Sequence, residues 1–516
     1  MKTEFERTTG NAGVIGLTAF GGALVGFVLQ LLVAYYFGAA AETDAFFMAQ
    51  STSELLSKLL LGGSITAVFI PMFVQKLSNG RRQDAWHMAL NIFHITAVLY
   101  IMMIAILTLF ARPFIHFIAP GFAPETFELT VYLLYILLPS FLFLFLVEFA
   151  TSMLHSLQRF ALPASMRLLA PAISIIAIVT LAPRMGIAAL AIGVAIGSLF
   201  QFLVLMIGLR RAGLKYRFIF NIRDPIVRQL AYMVYPFIFS VLVTQVAGIV
   251  YRMLVSDLTE GSLASLKFAE KITQLLTIMF LNSVTLVIFP LLSQKASKKD
   301  AAGMLVTISS AIRLITFVTV PLVIGVALLR EPLIDFVYQH GSFSKQDAAM
   351  TSIALLFLVL GLTTNGISSV FGHAVLALQK TKAAVIVSIA SQIVAISLFL
   401  LLVPPMGHAG LALASSLVPI STALLYGFYL RRHIPNLTRA FHHITFLKTA
   451  CLAILLAAVI LFIRTVELPG ISLTQLFLPT LIGCVVFFGG AWLWKVEEME
   501  TVLAIIRGKL VKWRKV

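Results

Sequence analysis

Long apolar runs alternate with short polar breaks along the whole chain. Fourteen of the runs are long enough for a helix to cross the ~30 Å hydrocarbon core of a bilayer, which takes about 20 residues. They cover 13–37, 44–75, 85–111, 128–155, 162–182, 186–208, 229–256, 264–293, 303–329, 350–377, 383–403, 408–430, 446–464 and 472–494. The pattern predicts an all-α polytopic membrane protein with 14 transmembrane helices.

One stretch occurs twice. Ser64–Lys76 reads SITAVFIPMFVQK and Ser283–Lys295 reads SVTLVIFPLLSQK. Ser64, Thr66, Val68, Pro71, Gln75 and Lys76 recur as Ser283, Thr285, Val287, Pro290, Gln294 and Lys295, a constant offset of 219. Further on, Leu157-Gln158-Arg159 returns as Leu378-Gln379-Lys380, and Leu209-Arg210-Arg211 as Leu430-Arg431-Arg432, at an offset of 221. A register held this long implies two homologous halves. The expected organisation is two pseudo-symmetric six-helix lobes, 1–211 and 229–432, joined by a basic linker at 212–228. Two C-terminal helices follow in 433–495, then a basic amphipathic tail at 496–516. Six spans per repeat is an even number. The halves therefore enter the membrane in the same sense, related by an axis along the bilayer normal with a cleft between them.

Composition agrees. Of 516 residues, 60% are hydrophobic and 11% charged, with mean hydropathy +1.00, which excludes a soluble domain of this size. The net charge of +17 would suggest nucleic acid in a soluble protein. Here the basic residues sit mostly in short loops, so the positive-inside bias and anionic headgroups account for them, and no nucleic-acid partner is expected. With a cytoplasmic N-terminus, the inner loops hold Lys76, Arg81, Arg82, Arg159, the cluster Arg210 to Arg228, Lys298, Lys299, Lys380, Arg431 and Arg432. The outer ones hold only Arg112, Arg184, Arg330, Lys345 and Arg464. Both termini are thus expected in the cytoplasm. Cys451 and Cys484 lie in apolar runs and read as buried packing thiols. The first apolar run is too long, and Glu4 and Glu6 too acidic, for a cleavable leader.

Ionisable groups within spans are costly and so mark function by default. They are Glu54, Lys58, Glu148, Arg252, Glu270, Lys271 and Arg313, with Asp44 at a helix start. Glu54 and Lys58 are four apart and can pair on one helix face. Gly62-Gly63-Ser64 follows as a hinge beside a polar cavity, close small-residue packing being the competing reading. Lys267 lies one turn before Glu270-Lys271, and a lysine there holds a phosphate as a point charge unless it reaches the outer interface instead. The same alternative applies to Arg252. Glu148 has no cation at helical spacing. Asp44, in Thr43-Asp44-Ala45, reads as the cap of its own helix. Ile118–Phe122 and Val337–Phe343 look like structured loops, the second leading into a helix cap at Ser344. Scattered histidines, and the lack of any triad or nucleotide loop, argue against an enzyme and against a metal site.

Over essentially its whole length the sequence resembles the MurJ (MviN) lipid II flippase family of the MOP exporter superfamily. The resemblance rests on Phe37-Gly38-Ala39 with Thr43-Asp44-Ala45-Phe46-Phe47, on Phe69-Ile70-Pro71, and on Ala119-Pro120-Gly121-Phe122. It continues in Gln158-Arg159-Phe160-x-x-Pro163-Ala164, Gly341-Ser342-Phe343 and His408-Ala409-Gly410-Leu411. It implies a flippase of the bacterial cytoplasmic (inner) membrane, working by alternating access on a polyprenyl-diphosphate-linked peptidoglycan precursor. Lys271, in Ala269-Glu270-Lys271, stands where the family usually has an arginine, and Asp44 matches the family aspartate. The family's helix 1 arginines are absent here, where Ala23-x-x-Gly26-Phe27-x-Leu29 stands. The diphosphate-binding set is then Lys58, Lys271 and Arg252, with Glu54, Glu148, Glu270 and Asp44 as cavity or coupling carboxylates. No cofactor is expected beyond coupling to the membrane potential, Na+ or H+. Membrane lipids are the other partner, and a monomer is expected. Alternatives are a flippase for another polyprenyl-linked oligosaccharide, such as an O-antigen or exopolysaccharide unit, and a cation-coupled drug antiporter.

Overall fold

A computed structural model of the chain describes residues 2–61, 64–441, 444–465 and 472–500. Within these, the side chains of 2–17, 53, 56–61, 64–68, 230–231, 233–240, 243–244, 282–283, 286–287 and 472–473 lie outside the description. Every regular element among the described residues is helical. The first repeat comprises α1 (Lys2–Phe37), α2 (Ala41–Leu61), α3 (Ser64–Ser78), α4 (Arg82–Leu109), α5 (Ala111–Ile118), α6 (Pro124–Ser156), α7 (Ala161–Met185) and α8 (Ala188–Arg211). The second runs α9 (Pro225–Ser256), α10 (Ser262–Leu276), a π-helical turn at Thr277–Leu281, α11 (Asn282–Ser297), α12 (Ala301–Leu328), α13 (Arg330–Tyr338), α14 (Lys345–Ala377), α15 (Thr381–Met406) and α16 (His408–Leu430). A 3₁₀ turn (Leu437–Phe441), α17 (Ile444–Thr465) and α18 (Ser472–Leu493) complete it.

Eleven helices among the described residues are long and apolar enough to cross a membrane. The fourteen apolar runs include three more segments: α2 with α3, α9, and α10 with α11. One of these three is interrupted among the described residues. Residues 62–63, between α2 and α3, lie outside the described residues, and the π-helical turn separates α10 from α11.

The duplication extends to backbone details that composition cannot dictate. Gln158 and Gln379 both adopt left-handed φ, +59° and +58°, at the equivalent helix ends. Gly186 and Gly407 do the same at +55° and +57°. A non-glycine residue with positive φ is uncommon, so its recurrence at the repeat offset reports shared descent of the turns. Helix starts are capped where the sequence provides an acceptor. Asp224 accepts from Ile226 N–H, Asp300 from Gly303 N–H, and Ser344 and Asp347 form a reciprocal capping box.

By contacts the chain forms two compact units. The first is Met1–Ala264 with the loop Gly341–Phe343; the second is Ser265–His340 with Ser344–Val516. The core of the first gathers α3, α4, α6 and α8 around Phe69, Phe73, Trp86, Phe93, Tyr100, Phe145 and Phe149, with Phe69 tilted on Phe149 at 4.9 Å. The second packs α11, α12 and α14 around Leu292, Ile308, Ile312 and Phe371, beside a satellite of α12, α17 and α18 built on Phe317, Leu456 and Phe487. Inside a bilayer such helices associate by van der Waals fit and small residues, because lipid tails are as apolar as leucine. Gly361 illustrates this: a methyl group there would stand 2.9 Å from Ser416 Cα, so α14 and α16 touch backbone to backbone. Both cysteines are exposed, on α17 and α18, rather than buried as expected.

Candidate functional site

The charged span residues are held in different ways. Arg252, on α9, reaches α2. Its Nε donates to Ser51 Oγ (3.1 Å) and Nη2 to the Ser51 carbonyl (2.8 Å), while Nη1 donates to Gly248 O (2.7 Å) on its own helix. Three of the five guanidinium N–H donors are thereby committed, and the other two have no partner among the described residues. Glu54, exposed and one turn beyond Ser51, attracts the same guanidinium electrostatically. Arg252 and Glu54 thus come together in the first unit. The side chain of Lys58, and with it the Glu54–Lys58 pairing, lies outside the described residues. So do Gly62 and Gly63 and the side chain of Ser64, the expected hinge.

In the second unit, Glu270 pairs with Lys267 at 2.7 Å across one turn of α10. Lys271 donates to Gln274 Oε1 at 3.3 Å and is half-buried. One turn beyond Gln274 the helix widens into the π-helical turn, which sequence reading missed. Its signal was present in the repeat. Glu54 to Leu60 aligns with Glu270 to Leu276 at an offset of 216, whereas Ser64 aligns with Ser283 at 219. Three additional residues therefore fall between Leu276 and Ser283, and the chain absorbs them in the wide turn. Such turns mark functional positions in many helices. Thr273, Thr277 and Thr285 bond back onto backbone carbonyls on either side of it, which loosens the local ladder.

Asp44 is not the cap of its own helix. It lies in the first turn of α2, 4% exposed, and accepts the N–H of Gly261 (2.7 Å) and of Ala264 (2.7 Å) at the start of α10. A buried carboxylate on the positive end of a helix is well placed, since both unpaired N–H groups and the helix dipole favour it. The same end of the first unit gathers the two structured loops. Gly121 N–H bonds Ser256 Oγ at the end of α9, and Ser342 N–H bonds Tyr35 O at the end of α1. Gly341 has φ +64° and lies so near the Tyr35 carbonyl that no side chain fits there. Glu148 is exposed on α6, with no ion-pair partner among the described residues. Arg313, on α12, is 16% exposed and ion-pairs at 3.2 Å with both Glu497 and Glu498, just past α18. No metal-ligating cluster occurs among the described residues.

A duplicated bundle of long apolar helices, with Asp44, Arg252 and Arg313 held by partners within it, has the make-up of a polytopic membrane transporter. The chain belongs to the MurJ lipid II flippase family: a sequence model of that family, described as "Lipid II flippase MurJ", matches residues 33–481. Among curated relatives, a "Probable lipid II flippase MurJ" of Rickettsia prowazekii is 25% identical over 94% of this chain and 98% of its own length. Another from Vibrio cholerae is 28% identical over 81% and 82%. A solved "Lipid II flippase MurJ, inward closed conformation" shares the fold with TM-score 0.81 and 24% identity, over 93% of this chain and 98% of that one. A MATE multidrug transporter of the MOP superfamily shares it more distantly, with TM-score 0.70 and 13% identity over 81% and 96%.

Proposed function

We infer that this chain carries lipid II from the inner to the outer leaflet of the bacterial cytoplasmic membrane by alternating access. The match of the family across residues 33–481 is the observation that carries the reading. In this reading Lys58, Lys271 and the two uncommitted donors of Arg252 neutralise the diphosphate, while the polyprenyl chain stays in lipid. Helix 1 supplies no cation between Arg7 and Phe37, so the headgroup charge falls to helices 2, 7 and 8 of the fourteen. An anionic headgroup moving outward across an inside-negative potential gains about 2.3 kcal/mol per charge per 100 mV. The membrane potential therefore assists export, with Na+ or H+ coupling assigned to Glu54 or Glu148. The chain acts as a monomer with both termini in the cytoplasm, and it transports without catalysing a reaction.

The test is complementation of cells depleted of their own lipid II flippase, with the variants Lys271→Ala and Lys58→Ala in parallel. The unmutated chain should restore growth. Each variant loses a charge-assisted contact worth about 1.5–3 kcal/mol, so headgroup capture should weaken by roughly ten- to a hundred-fold. Failure of the unmutated chain despite good membrane expression would move the substrate to another polyprenyl-linked glycan. Full rescue by both variants would remove the lysines from the mechanism.

A further inference from the structure

The segment joining α8 to α9 is not slack. From Leu214 to Asn221 it has no regular secondary structure, yet it is tied to α4 at several points. Fully buried Asn91 grips it with both ends of its amide: Nδ2 donates to Asn221 O (3.0 Å) and Oδ1 accepts from Asn221 N–H (2.7 Å). Arg82 donates to Ala212 O (2.8 Å), and His94 Nε2 meets the Tyr216 hydroxyl at 3.0 Å with the Phe218 ring 4.8 Å away. Leu214 is buried against the core. What the strap turns outward is unusual for a connector. Lys215, Arg217 and Arg223 are exposed, interleaved with Tyr216, Phe218 and Ile222, which are 53%, 70% and 62% exposed.

The height of the strap along α4 decides what covers this face. No Asp, Glu, Lys, Arg or His occurs from Ile95 to Phe110, a stretch of about 24 Å at 1.5 Å per residue. A hydrocarbon core of ~30 Å therefore extends down to about Asn91, level with the strap. Aromatic side chains at that depth form interfacial belts, and cations beside them face phosphates. The second unit repeats the arrangement. Ser309, on α12 and one residue before the register position of Asn91, donates to Ala440 O (3.3 Å) in the segment that leaves α16, and exposed Arg439 and Phe441 flank that bond.

We propose that the strap from Ala212 to Asp224 is a pre-ordered binding surface for anionic phospholipid headgroups. Tyr216, Phe218 and Ile222 enter the headgroup boundary, and Lys215, Arg217 and Arg223 hold the phosphates. The inference is independent of which lipid-linked glycan is transported. It assigns the basic linker a defined binding geometry rather than a diffuse charge bias.

Two experiments on the full chain test it. Native mass spectrometry of the detergent-solubilised protein, titrated with phosphatidylglycerol or phosphatidylcholine, should show preferential binding of the anionic lipid. K215Q/R217Q/R223Q should lower that binding about ten-fold or more, since each surface cation contributes measurably. K298Q/K299Q/K382Q, which removes three exposed cations elsewhere, should leave it within about two-fold of the unmutated chain. Equal loss in both triple variants, or no loss in the first, overturns the proposal. Independently, a nitroxide at Phe218→Cys, in a Cys451→Ser/Cys484→Ser background reconstituted in phosphatidylglycerol vesicles, should relax with oxygen more than with a water-soluble nickel chelate. Greater access to the chelate places the strap in water and overturns it as well. Monodisperse elution of each variant confirms folding.

Discussion

The third long helix of each repeat, α4 in the first and α12 in the second, receives the segment that leaves the sixth, and the two contacts use different chemistry. On α4 the grip is a reciprocal amide pair, Asn91 with the Asn221 backbone, supported by His94 and Tyr216. On α12 a single hydroxyl bond from Ser309 replaces the amide pair. Arg313, at the repeat position of His94, turns instead to Glu497 and Glu498, which lie outside the duplicated region. The backbone path was kept while the side chains diverged. In the second unit, a segment outside the duplicated region supplies part of the contact.

Removing the charged half of that contact should have the largest effect. Glu498 is 4% exposed, so Arg313→Ala strands a buried carboxylate. The expected loss is about 3 kcal/mol, recovered in large part when Glu498→Gln is added. Thermal unfolding of the purified chain, followed by size-exclusion fluorescence, reads both. An Arg313→Ala variant as stable as the parent would leave Ser309 as the whole of the second contact.

An intermediate effect is expected in the first unit. Asn91→Ala leaves the N–H and carbonyl of Asn221 without their partners and should cost about 1–2 kcal/mol. Ser309→Ala should cost less than half as much in the same assay, because it loses one long bond. Equal losses would erase the asymmetry between the two grips.

The smallest effect concerns the helix starts just before these contacts. Asp300 caps α12, whereas the equivalent Arg81 gives α4 no side-chain cap. The Gly303 N–H, and after it the Lys295 ammonium, hold the Asp300 carboxyl below its ordinary range. Its contribution is therefore present above the unfolded-state carboxylate pKa and is lost as pH falls through the lower folded value. Unfolding midpoints measured from pH 6 to 3 should fall less steeply for Asp300→Asn than for the parent. Arg81→Asp, in turn, should steepen that acid dependence by placing a similar cap on α4.

Much of this architecture was legible in the sequence, for reasons that also set the limits. Apolar runs of membrane length and a constant repeat offset report helices and duplication directly, because bilayer thickness fixes the length of a span. Asp44 was visible as a capping residue but was assigned to the wrong helix. Its partners lie 217 and 220 residues away, and local propensity carries no information at that range. Arg252 was recognised as a charged span residue, but its docking on Ser51 depends on how α9 meets α2. Cys451 and Cys484 failed for a different reason. In a membrane protein, residues facing lipid and residues facing the core are equally apolar, so hydropathy does not separate buried from exposed.

The grip at Asn91 has a mechanical consequence. Three residues separate Asn221 from Pro225, the first residue of α9, and Asp224 among them caps that helix. With so little play, the foot of α9 is geared to α4. Any tilt of α4 is delivered to α9 as displacement instead of being taken up by the connector, and Arg252 rides on the driven shaft.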